Sequence, residues 1–82
     1  MMDKRAKAQR AEALLNDDVL QEAFNGVLFY HTGVFTRVTA TEAEVLEARR
    51  MVLALNEVKS QLRRYVSTGD ILAKKDQDRE HD

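Results

Sequence analysis

Leu20, Phe24, Val27, His31, Val34 and Val38 recur every three or four residues, with Ala23, Tyr30 and Phe35 beside them, which is the period of one helix face. The same stretch also holds a two-residue alternation, Leu28, Tyr30, Thr32, Val34, Thr36 and Val38, and its β-branched and aromatic content suits a strand. A hairpin would have to turn at His31-Thr32-Gly33, which lacks an Asn-Gly or Asp-Gly pair, and nothing else in the chain supplies a third strand. The helical period therefore carries the expectation, with the strand as its alternative. In a helix, Gly26 and Gly33 lie on nearly the same side, either because another helix backbone comes close or because the helix frays near Gly33.

A second and longer helix follows. Thr41 and Glu44 form the S/T-x-x-E capping box, and Glu42 adds an acid in the first turn. Val45, Ala48, Val52, Leu55, Leu62 and Val66 then form a stripe broken by Lys59 and widened by Met51, Val58 and Tyr65. Ser67-Thr68-Gly69 reads as its C-terminal stop, with Gly69 in the left-handed conformation. Ahead of both helices, "AQRAEALLNDD" is a short helical segment closed by Asn16-Asp17-Asp18, where Asp18 with Gln21 makes a weak capping box for the next helix.

The expected fold is all-α: an antiparallel helical hairpin, Val19 to about Val38 against Thr41 to about Thr68, with a short leading helix. Residues 1–69 form a single helical domain; residues 70–82 form a short helical extension and a polar tail with too little apolar surface to stay ordered. At 82 residues the chain hides only roughly 60% of the surface it exposes when unfolded, so a chain of this size calls for a disulfide, a metal or a partner. It has no cysteine. A second chain remains, and the apolar stripes point to a helical-bundle homo-oligomer whose interface is carried by Phe24, Val27, His31 and Val34 on one helix and Val52, Leu55 and Leu62 on the other.

Charge changes this picture little. The formal net charge is −1, with four basic and two acidic residues in Met1 to Asn16 against three basic and five acidic in Asp70 to Asp82. Arg49, Arg50, Arg63 and Arg64 project away from the apolar stripe and, with Lys4, Arg5, Lys7 and Arg10, form a candidate nucleic-acid contact. Glu57 lies within that arginine face and Glu47 borders it, which favours a solvated, salt-bridged surface.

Catalytic chemistry finds no foothold. His31 and His81 are the only imidazoles, without HExxH or i,i+4 pairing, so no metal site is expected. The three glycines are isolated, no phosphate loop exists, and Ser60 and Ser67 have no nearby histidine to act as base. Asp17 and Asp18 sit where caps sit. The sequence predicts no enzyme, no cofactor and no small-molecule substrate. No run approaches the roughly 20 apolar residues of a membrane span, and the N-terminus has no apolar signal region, so a cytoplasmic protein is expected.

The segments "RAEALLNDDVLQEAF" and "LALNEVKSQLRRYVSTGDILAKK", with the patterns RA..LLND..L..AF and L..V...L......TG..LA, resemble a group of small helical proteins encoded by tailed bacteriophages and prophages among their head and DNA-packaging genes. The chain departs from the group in carrying Asp18 where proline is expected and in its apolar middle. The resemblance implies a non-enzymatic phage protein that assembles with itself or with another phage protein in the host cytoplasm. Two readings follow: an oligomeric protein-protein interaction module serving virion assembly or DNA packaging, and, as the alternative, a DNA-binding packaging or regulatory factor similar to a small terminase subunit.

Overall fold

A two-residue break and a five-residue turn divide the chain into α1 (Lys4–Leu15), α2 (Asp18–Thr36) and α3 (Glu42–Glu80), with no strand among the described residues. The computed structural model describes residues 3–80, so His81 and the end of the expected polar tail lie outside the described residues. The helical period thus prevails over the two-residue alternation at Leu28 to Val38, although α2 stops at Thr36, two residues early. There Arg37 turns extended, its N–H bonding back to the Val34 carbonyl, and the Ala40 N–H closes the next turn on the Arg37 carbonyl.

The N-cap of α2 is Asp17, not the expected Asp18. Asp17 Oδ1 accepts from the Leu20 N–H at 2.8 Å, the usual geometry for a cap three residues ahead of the donor. Gln21 is thereby released from capping, and its Nε2 donates to the Leu15 carbonyl at 2.7 Å, satisfying an orphan acceptor at the end of α1. One side chain thus ties the two helices across their break.

The capping box of α3 forms as expected. Thr41 Oγ1 accepts from the Glu44 N–H at 3.1 Å, while Glu44 Oε1 accepts from the Thr41 N–H at 3.2 Å and from its hydroxyl at 3.0 Å. The Glu44 carboxyl is held below its ordinary value of 4.5, first by the Thr41 backbone N–H, then by the Thr41 hydroxyl, with added help from the Arg37 charge. A carboxylate whose folded value lies below its unfolded one stabilises the fold above that unfolded value, and the contribution is lost as pH falls through the lowered folded value. Loss of the Thr41 Oγ1 cap in Thr41→Ala should cost about 1 kcal/mol. Glu44→Gln should be less stable than the parent at neutral pH, with the gap closing on acidification below 4.5. Urea denaturation of both chains at neutral and acid pH checks this; a gap that widens in acid contradicts it.

Along α3, Val45, Ala48, Val52, Leu55, Lys59, Leu62, Val66 and Gly69 alternate three and four residues apart, and every one is buried or half-buried. This seam receives both other helices. Phe24 lies under the Lys59 ammonium, Val27 and Leu55 wall one groove, and Val34 and Ala48 wall another, so α2 runs down the first half of α3 in the opposite direction. Lys7 lies over Tyr65, Ala8 touches Gly69 and Arg5 pairs with Asp76, so α1 continues the same path along the second half. α1 is therefore no mere leader: it covers the part of α3 left open beyond the start of α2.

The expected stop at Gly69 does not occur. α3 passes through Ser67, Thr68 and Gly69, and across the expected boundary between residues 69 and 70, without a positive φ. The glycine serves packing instead: a Cβ built on Gly69 would overlap the Cβ of Ala8. Ala8 and Ala11 are buried on α1, and these small residues let the two backbones approach closely. Beyond that contact the Arg5–Asp76 ion pair and half-buried Leu72 hold the end of α3.

Candidate interaction surface

The chain has almost no interior of its own. Among the described residues only Ala8, Ala11, Val34 and Ala48 form buried apolar core, and no large side chain is fully buried. The molecule is a rod of 65 × 23 × 22 Å with a radius of gyration of 18.1 Å, where a compact chain of 82 residues would have about 12 Å. Its accessible surface is 6728 Å², whereas a folded monomer of 9.4 kDa exposes about 5,000 Å².

Many of the exposed large apolar side chains stand on α2. Ala23 to Thr36 is fourteen residues without a formal charge, and a helix with apolar residues on more than one side needs cover on more than one side. α3 covers one side only. Val19, Phe29 and Tyr30 remain 75%, 81% and 66% exposed, and on α3 Leu46, Leu53 and Val58 are exposed as well.

The expected interface residues divide among three environments. Val34 is buried against α3 within the chain; Phe24, His31, Val52, Leu55 and Leu62 are half-buried along the seam, and Val27 is exposed at its edge. Phe24 carries the Lys59 ammonium 5.3 Å from its ring centre, and His31 meets Tyr30 edge-on with ring centres 5.1 Å apart. The first contact uses a residue expected to face a second chain to hold α2 on α3, and the second lies within α2. An open apolar groove of about 180 Å³ remains between the helices, lined by Leu20, Ala23, Phe24, Val27 and Leu55. The Ala8–Gly69 contact was not read from sequence; its signal was Gly69 falling on the seam three residues after Val66, opposite a helix with alanines three apart.

The four arginines stand on exposed surface. Arg50 Nη1 approaches Glu47 Oε2 at 3.5 Å, and Arg64 Nη1 donates to Gln61 Oε1 at 2.9 Å. Two of the four are thus engaged with their own helix, and the groove lies elsewhere. No group of three or more potential metal ligands occurs among the described residues, and no described helix is long and apolar enough to cross a membrane.

Comparison with protein-family models, curated proteins and solved structures finds no match to this chain.

Proposed function

We propose that the protein is a non-enzymatic protein-protein interaction module whose working form is an assembly of its own helical chains. The observation that carries this reading is the surface surplus: about 1,700 Å² more than a compact monomer would expose, on a chain whose largest apolar side chains, among the described residues, all remain partly wet. That surplus is about twice the ~800 Å² that each partner gives to an interface of standard size. In this reading α2 and α3 form one side of an antiparallel helical bundle, completed by another chain. The likeness of its first and last segments to small phage and prophage proteins suggests the setting, an accessory of virion assembly or DNA packaging that also meets another phage protein.

Light scattering coupled to size exclusion, across about a hundredfold range of concentration, tests the reading because association follows mass action. The expected mass is a multiple of 9.4 kDa at the upper end. A folded single chain at every concentration overturns it.

A further inference from the structure

We propose that the grooved side of the α2–α3 pair docks on the same side of a second copy about a two-fold axis, an inference that rests on the self-assembly reading and specifies its surface. On α2, Ala23, Val27 and Tyr30 are spaced four and three apart, and on α3 Met51, Leu55 and Val58 are spaced in the same way. Each set therefore forms one line along its helix. Ala23 and Val27 line the apolar groove on one side and Leu55 on the other, while Tyr30 lines the neighbouring pocket towards Arg37 and Glu47. Val27, Met51 and Val58 are 41%, 38% and 50% exposed, which leaves two wet apolar ridges with a furrow between them.

The occupant follows from area and charge. A single chain carries surface surplus enough for a large interface, and its elongated shape offers a second rod a long side to lie against. The face is uncharged along α2 from Ala23 to Thr36, and on α3 between Met51 and Val58 the only charge is Glu57, two residues from Leu55 and so turned away from the groove; the charges that border it are Lys59, over the Phe24 ring, and Arg37, Glu44 and Glu47 at the Tyr30 end. A face with an uncharged centre and charges of both signs at its edge disfavours a partner of one sign and accepts one equally apolar and ridged. The second copy carries such a face at equal concentration, and a two-fold axis lets each present the same patch to the other. Two antiparallel pairs joined in this way make a four-helix layer with Leu55, Val27 and Val58 at its centre.

The opposite flank gives a matched control. Phe29 lies two residues after Val27 and Leu53 two before Leu55, so both point away from the groove, yet they are 81% and 54% exposed. Because the chain has no cysteine, single variants report without background. Tyr30→Cys and Val58→Cys probe the proposed face; Phe29→Cys and Leu53→Cys probe the other. Labelling by a charged maleimide is timed in dilute and concentrated samples, with light scattering on each and circular dichroism to confirm equal helicity. We expect labelling at positions 30 and 58 to slow about tenfold on concentration as the mass doubles, with positions 29 and 53 unchanged. Protection at 29 and 53 instead, with the mass still doubling, overturns this surface but leaves self-assembly standing. A constant single-chain mass with all four positions labelling alike in both samples overturns both.

Discussion

Gly69→Ala should destabilise the protein, whereas the same change at Gly26 and Gly33 should stabilise it. Replacing a glycine inside a helix by alanine gains up to about 1 kcal/mol from backbone entropy. At Gly26 and Gly33 a new Cβ meets nothing within 4 Å, so the gain is kept. At Gly69 the new methyl overlaps the Ala8 Cβ, a short group fixed to the α1 backbone that cannot swing aside. Overpacking of this kind costs roughly 1–3 kcal/mol, which exceeds the entropy gain, and Gly69→Leu should cost the full amount by lifting α1 off α3. The second half of the expectation is rescue: Ala8→Gly on the Gly69→Ala background should return much of the loss, because the double variant restores one methyl to the same gap. Thermal or urea denaturation of the five variants decides this. All three alanine variants moving in one direction would show that α1 does not pack at Gly69 as described.

Leu55→Ala should cost about 2–5 kcal/mol, the range for a large apolar side chain deleted from a packed core. In the single chain Leu55 is half-buried, and removing a side chain with much of its surface wet costs nearer 1 kcal/mol. The size of the loss therefore reports whether another chain completes its surroundings. The parent protein should also unfold at higher urea as its concentration rises, and Leu55→Ala should show that dependence weakly. A loss near the lower figure, with midpoints independent of concentration, would place Leu55 at a groove that stays open.

Local chemistry was legible in the sequence wherever a few adjacent residues settle the outcome. The Thr41–Glu44 box and the break near Asn16 are of this kind, since the cap and its donor are covalently close. The choice between Asp17 and Asp18 as the cap turned on Gln21, which reaches across the break to Leu15 instead of back to its own helix end. Gly69 was misread for a physical reason: a glycine after Ser-Thr near the end of an apolar stripe looks the same whether it ends a helix or admits a neighbour. Only the presence of Ala8, 61 positions earlier in the chain, distinguishes the two. The surface was half legible. Periodicity identified the stripe on each helix, but Val34 and Val27 share that stripe, and only the lie of α2 on α3 buries the first and leaves the second wet.

The seam of α3 repeats every seven residues, and a repeat of that kind carries an ambiguity of alignment: apolar residues alone would let α1 and α2 slide by one heptad at little cost. Two positions break the degeneracy. Slipping α2 by seven residues would bring Val52 or Val66 to Phe24 and lose the ammonium that Lys59 places over its ring. Slipping α1 by the same amount would set Leu62 or Asp76 against Ala8, where not even a methyl fits beside the backbone. An ill-matched lysine and a helix-weakening glycine, each unfavourable taken alone, thus select one alignment of three helices from several that the apolar pattern permits.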